Sequence, residues 1–243
     1  MNKKIIIIGA TSGIGREVAN IYIAQGWKVG VAGRRAHELE TLRQTSPSQV
    51  FTQVLDVTNE DAPQRLQALI EQVGGMDIFL LSSGIGKQNY ILQTEIELAT
   101  AATNVEGFIR MTNAAYHYFE KQGHGHLAVI SSIAGTKGLG ASPAYSATKR
   151  YQNHYLQCLA QLSAMRKVKI TFTDIRPGFV ATDLLNDNHH YPMLMKKEFV
   201  AKEAYKAVAQ KRRIKVIDWR YNLLVMAWKL IPNCIWERLS IKN

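Results

Sequence analysis

Four consecutive isoleucines, Ile5–Ile8, run directly into Gly9-Ala10-Thr11-Ser12-Gly13-Ile14-Gly15. A strand made only of β-branched apolar residues has no polar face, so it must be covered on both sides. Similar runs recur at Lys28–Ala32, Val50–Leu55, Ile78–Leu81, Leu127–Ser131, Val168–Ile175 and Ile214–Ile217. Between them, apolar residues take helical spacing over Ile14–Gln25, Glu38–Thr45, Asp61–Val73, Glu95–Lys121, Pro143–Met165 and Lys197–Gln210. Buried strands alternating with helices predict a Rossmann-type α/β fold, a doubly wound parallel sheet of about seven strands. No repeat, low-complexity tract or linker interrupts residues 1–243, so one domain is expected. Gln122–His126 reads as a turn ahead of a strand, not a boundary.

Composition narrows the class. Hydrophobic residues make up 47% of the chain and charged residues 20%, which excludes a disordered polymer. Cys158 and Cys234 are far apart and form no metal-type spacing, so a reducing, cytoplasmic setting is expected. The opening Met1-Asn2-Lys3-Lys4 and its isoleucines are too short for a secretory leader. No stretch reaches the roughly 18 apolar residues of a membrane span. The net charge of +11 is concentrated late: residues 196–243 hold twelve Lys and Arg against four Asp and Glu. That excess fits a solvated helical surface or docking to an anionic lipid layer or carrier protein. No nucleic-acid-binding motif accompanies it.

In a doubly wound sheet the ligand lies beyond the C-terminal strand ends, at the switch point. Gly9, Thr11, Ser12, Gly13, Ile14 and Gly15 fall there, between the first strand and first helix. Glycine lets the backbone approach a pyrophosphate, and the helix start offers free N–H groups. The second strand ends Val31-Ala32-Gly33-Arg34-Arg35. It lacks the carboxylate that would bond a ribose 2′-hydroxyl, and two guanidiniums suit a 2′-phosphate. NADP(H) is therefore the expected cofactor, clamped by Arg34 and Arg35, with Arg16 a weaker third candidate. Asp56 and Val57 follow the third strand. Asp56 can face the adenine or cap the next helix, although Thr58 or Asn59 is the nearer cap.

Tyr145 and Lys149 lie four apart on one helix and share a face. An ammonium beside a phenol lowers its pKa toward a value useful for proton transfer. The segment Ser131-Ser132-Ile133-Ala134-Gly135 ends a strand just ahead of them. With the glycine loop, Tyr145-Ser146-Ala147-Thr148-Lys149 and the later Arg176-Pro177-Gly178, it resembles the short-chain dehydrogenase/reductase family from about residue 3 to residue 185.

The resemblance implies a role for each match. Ser132 would bond the substrate oxygen, Tyr145 would transfer the proton, and Lys149 would also hold the nicotinamide ribose. Asn104 would keep a water in the proton relay. Pro177, Gly178, Val180 and Thr182 would position the nicotinamide amide. After the fourth strand the family carries Asn-Asn-Ala-Gly, where this chain has Leu81-Ser82-Ser83-Gly84. Ser83 and Gly84 keep the backbone's approach to the cofactor, while serine replaces part of the lost asparagine network. The activity implied is an oxidoreductase interconverting a carbonyl and an alcohol, its physiological direction open. A dinucleotide-sensing scaffold without turnover is the non-enzyme alternative.

Residues 184–196 would form a substrate lid, with His189 and His190 as a polar loop or a substrate contact. Residues 219–243 form a basic, Trp-rich extension in which Pro232 should stop a helix. Three readings stand: the extension lies on a membrane surface, packs on a partner subunit, or covers the cleft. Each suits an apolar or lipid-like substrate, with a 3-oxoacyl-carrier group, a keto-lipid or a keto-sugar as narrower alternatives. The resemblance also implies a homodimer or homotetramer through the helices matching Glu95–Lys121 and Pro143–Met165. No metal-ligand constellation is present.

Overall fold

The computed structural model describes residues 3–185 and 191–241. Its strands are β1 (Lys4–Ile8), β2 (Lys28–Gly33), β3 (Val50–Val54), β4 (Ile78–Leu81), β5 (His124–Ile130), β6 (Lys169–Pro177) and β9 (Ile214–Ile217). They form one parallel sheet of seven strands in the order β3-β2-β1-β4-β5-β6-β9. The chain moves outward from β1 to β3, then returns to pair β4 against the other side of β1. The cleft therefore opens between β1 and β4, as a doubly wound sheet requires.

Side chains alternate across each strand, and the isoleucines show why none can be polar. Ile5 and Ile7 join a core with Val18 and Tyr22 of α1 (Gly13–Ala24), Leu39 of α2 (Ala36–Thr45) and Val200 of α7 (Lys197–Ala209). Ile6 and Ile8 join the opposite core. There they meet α3 (Ala62–Val73), α5 (Phe108–Gln122) and α6 (Pro143–Met165), through Leu66, Phe119 and Leu156 among others.

Several boundaries differ from expectation for identifiable reasons. The long helix expected over Glu95–Lys121 is α4 (Thr94–Ala101) and α5, joined by a six-residue π-helical turn at Ala102–Gly107. The turn buries Asn104 completely. β5 starts at His124, inside the segment expected to be a turn, because its register with β6 extends back to His124↔Lys169. Neither Thr58 nor Asn59 caps α3: that helix begins at Ala62, with Asp61 at its N-cap and Pro63 in its first turn. Two short strands, β7 (Val180–Ala181) and β8 (Met195–Lys196), pair in parallel. The extension forms α8 (Trp219–Leu230), capped by the Asp218 carboxylate on Arg220 N–H at 3.0 Å, and α9 (Asn233–Trp236). α8 stops before Pro232, whose ring holds Ile231 extended. Among the described residues no helix is long and apolar enough to cross a membrane.

Candidate active site

A cavity of about 700 Å³ lies over the C-terminal ends of β1, β4, β5 and β6. At its floor, Gly9 takes φ +86°, and a Cβ there would come within 2.5 Å of Ser83 N. Only glycine allows the loops after β1 and β4 to touch this closely. Ser12 is the N-cap of α1 but makes no side-chain capping bond, so the first-turn N–H groups stay available to an anion. These features fit a pyrophosphate. Thr11, Ser12, Gly13, Ile14, Ser83 and Gly84 all line the cavity.

Arg34 and Arg35 line the outer end together with Asp56 and Val57. Arg35 donates to Thr11 Oγ1 through Nε at 3.3 Å and Nη2 at 3.1 Å, and through Nη1 to Asp183 Oδ2 at 3.3 Å. Arg34 is more open and stands 4.0 Å from Asp56 Oδ2. Asp56 Oδ1 accepts from Thr58 N–H at 3.0 Å and its hydroxyl at 2.8 Å, which fixes the turn after β3. Arg16 departs from expectation. Its guanidinium pairs with Glu38, and it is not on the cavity wall.

The inner end gathers residues from β5, α6 and the segment after β6. Ser132 Oγ accepts from Ala134 N–H at 3.1 Å and donates to the Pro177 carbonyl at 3.4 Å. Ser131 points the other way, donating to the fully buried Asp174. Asp174 also receives Arg176 at 2.8 and 2.6 Å and Asn153 at 3.3 Å. The two serines after β5 thus differ in partners: Ser131 is engaged by the buried Asp174, and Ser132 by the Ala134–Pro177 side of the cavity. α6 starts at Pro143, and Glu97 of α4 accepts from Ala144 N–H at 2.9 Å, a carboxylate at a helix N-terminus. Ser146 donates to the Ala134 and Lys137 carbonyls at 2.8 and 2.9 Å, fixing Tyr145 against the Ser132 loop. Gly86 lies flat on the Tyr145 ring, where a Cβ would meet Cδ2 at 2.3 Å.

Lys149 Nζ stands 5.6 Å from the centre of the Tyr145 ring. It donates to the Ile130 carbonyl at 3.2 Å and to Gln152 Oε1 at 3.1 Å. Burial draws its pKa down to about 8, against the pull of the Asp174 carboxylate. The phenol behaves differently from the expectation of a lowered pKa. Burial raises Tyr145, and the Ser132 hydroxyl only partly offsets this. Desolvation of a neutral phenol's conjugate base outweighs its neighbours in the protein alone.

Asn104 is not on the cavity wall. Its Oδ1 accepts from Ile85 N–H at 2.9 Å, and its Nδ2 donates to the Ile85 carbonyl at 2.7 Å and Thr148 Oγ1 at 3.1 Å. This one amide braces the loop after β4. Its main-chain carbonyl accepts from Gln152 Nε2 at 2.8 Å.

Pro177, Gly178, Val180 and Thr182 form the wall beside β6. They are steadied by a residue that pattern reading misses. The Tyr221 hydroxyl of α8 accepts from Phe179 N–H at 3.1 Å and donates to the Pro192 carbonyl at 2.9 Å. Leu224 and Trp228 of the same helix line the cavity with Leu184 and Met193. Of the three readings for the extension, one face therefore covers the cleft. His189 and His190 lie outside the described residues. Among the described residues no group of three or more His, Cys, Asp or Glu is placed to hold a metal ion.

Comparison with known proteins agrees with this geometry. The family model for short chain dehydrogenase matches residues 3–191. An uncharacterized oxidoreductase of Myxococcus xanthus is 29% identical over 96% of this chain and 94% of its own length. Dehydrogenase/reductase SDR family member 7B of Xenopus tropicalis is 28% identical over 86% of this chain and 75% of its own. The crystal structure of 3-ketoacyl-(acyl-carrier-protein) reductase from Brucella melitensis complexed with NADH superposes with a TM-score of 0.80 at 22% identity. It covers 89% of this chain and 96% of that one, and at this identity it speaks to the fold.

Proposed function

The chain belongs to the short-chain dehydrogenase/reductase family, and from that premise we propose that it is an NADP(H)-dependent enzyme interconverting an apolar ketone and its alcohol. The observation that carries the reading is one cavity with Ser132, Tyr145 and Lys149 at its inner end and Arg34 and Arg35 at its outer end. Arg34 and Arg35 would hold the 2′-phosphate, the Gly9–Gly15 loop the pyrophosphate, and Asp56 and Val57 the adenine. Lys149 would hold the nicotinamide ribose, and Pro177–Thr182 the amide. When bound, the reduced dinucleotide supplies the hydride.

The protein's part is to handle the proton. Ser132 Oγ holds the substrate oxygen. The Tyr145 hydroxyl gives its proton to that oxygen in reduction and takes one back in oxidation. Lys149, charged at neutral pH, stabilises the phenolate that forms. Leu139, Leu184, Met193, Leu224 and Trp228 surround the substrate end, which favours an apolar carbonyl compound. A 3-oxoacyl group on a carrier is the nearest alternative, matching the name of the Brucella melitensis neighbour, a 3-ketoacyl-(acyl-carrier-protein) reductase. The test is a ketone and 3-oxoacyl panel run with NADPH and NADH in parallel, beside Tyr145→Phe. No turnover of any panel member by the wild type would favour a non-enzymatic scaffold and end the proposal; equal measurable rates in both proteins would take the proton transfer away from Tyr145.

One observation favours a second reading, of location. α8 is apolar on both faces: Tyr221 and Val225 pack inward, while Trp219, Leu223, Met226 and Leu230 remain 71%, 56%, 57% and 83% exposed. Exposed apolar side chains set among Arg220, Asn222 and Lys229 suit a contact surface. We infer that this outer face rests on an anionic lipid layer, drawn by Lys229 and the net charge of +11. Wild-type protein should sediment with anionic vesicles and a Leu223→Asp/Leu230→Asp variant should not. Equal sedimentation of the two removes the reading.

A further inference from the structure

Lys149 is the group on which the proposed proton transfer leans, and it is 4% exposed. An ammonium in such a place needs acceptors, because burial without hydrogen bonds disfavours its charge. Among the described residues it has two, the Ile130 carbonyl and Gln152 Oε1. Gln152 lies three residues further along α6, on the same face, and is 1% exposed. Its other amide atom, Nε2, donates to the Asn104 carbonyl at 2.8 Å. That carbonyl belongs to the π-helical turn at Ala102–Gly107.

Resting on the reductase reading, we propose that Gln152 is a positioning residue of this site, whose side-chain amide couples the Lys149 ammonium to the Asn104 carbonyl. The Asn104 carbonyl is thereby held by a protein amide. The ammonium is thus tied to the π-helical turn through one side chain. Only a primary amide satisfies both ends. Its oxygen accepts from the ammonium and its nitrogen donates to the carbonyl. Glutamate would keep the first bond and set a carboxylate against the Asn104 carbonyl. Leucine would keep the volume and lose both bonds. Two linked bonds in a water-poor site polarise each other, so breaking either weakens the other.

The variants separate by direction. Gln152→Glu adds a negative charge beside Lys149 and should raise its pKa. Gln152→Leu removes an acceptor from the charged form and should lower it. Each shift should reach about one pH unit. The direct readout is NMR titration of the lysine Cε resonances in cofactor-free protein, with Lys149→Met to assign the signal. The alkaline limb of NADPH-dependent ketone reduction should move the same way, with kcat reduced about tenfold in the leucine variant and its KM for ketone changed less. A merely structural glutamine would lower thermal stability without moving either titration. If Gln152→Leu fails to fold, Gln152→Glu and the shortened Gln152→Asn carry the test. The inference is overturned if Lys149 titrates as in wild type in both folded variants. If wild type reduces no ketone at all, the reductase reading falls, while the lysine titration still decides the role of Gln152.

Discussion

Arg35 and Asp183 meet across the mouth of the cleft, guanidinium Nη1 to carboxylate Oδ2 at 3.3 Å. Arg35 comes from the start of α2 and Asp183 from the segment after β7, so the contact joins the cofactor end to the substrate end. The side chains are 50% and 70% exposed, and such pairs contribute at most about 1 kcal/mol. A dianionic phosphate can displace the carboxylate at that cost. Asp183→Asn should lower the KM for NADPH roughly 2- to 5-fold and leave that for NADH unchanged. Arg35→Ala should raise the NADPH value by about tenfold or more. Parallel changes for the two dinucleotides would show that Arg35 does not read the 2′ position.

Tyr145→Phe removes one hydroxyl from a ring held between Gly86 and the Ser132 loop. The ring should stay in place and NADPH binding, read by fluorescence titration, should change less than about threefold. Ketone reduction should fall by roughly 10² to 10⁴, the usual size of a lost general acid. A variant that retains a tenth of the wild-type rate would point to another proton donor.

His126 offers a pH prediction independent of the chemistry. It is buried on β5 and hydrogen-bonds Thr173 Oγ1 at 2.8 Å, and burial lowers its pKa from 6.5 to about 4. The unfolded chain takes up the proton near pH 6.5, whereas the folded protein resists until about pH 4. Stability should therefore fall as pH drops through that window, by up to about 3 kcal/mol from this group. Urea unfolding of wild type and His126→Gln at pH 7 and pH 4.5 measures it. The variant should lose less stability on acidification. Parallel losses would place the sensitivity elsewhere.

Tyr221→Phe deletes the hydroxyl that ties α8 to Phe179 and Pro192. The cost in stability should be about 1–2 kcal/mol, since Phe179 N–H loses its partner. The substrate KM should rise several-fold while kcat changes little, because the wall loosens and Tyr145 does not move. A kcat loss as large as the KM change would mean that the tie also reaches the proton-transfer residues.

How far the sequence could be read follows the range of each interaction. The sheet is legible because apolar residues dominate both faces of the central strands, as in Ile5–Ile8 and Ile78–Leu81, and both faces leave the same mark. Gly9, Ser132, Tyr145 and Lys149 were legible because each sits at a fixed offset from a strand end or along one helix. The π-helical turn was not, since its extra residue per turn leaves the apolar spacing of 95–121 looking like one helix. Gln152 escaped for a different reason: its partner Asn104 is 48 residues away, and nothing local marks an amide as structural or as part of a site. Gly86 and Tyr221 act through contacts with α6 and the Pro177–Phe179 segment that only the fold creates. Arg16 was misread because Glu38, which neutralises it, is 22 residues distant.

The Leu224 and Trp228 side chains place α8 in the wall of the chamber, yet no proton-handling group lies on that helix. Ser132, Tyr145, Lys149 and Gln152 all precede β6, whereas most of the apolar substrate wall, Leu184, Met193, Leu224 and Trp228, follows it, Leu139 excepted. The division lets mutational drift in the later stretch retune which molecule is turned over while the earlier stretch goes on reacting in the same way. Descendants of this chain can diverge in diet before they diverge in chemistry.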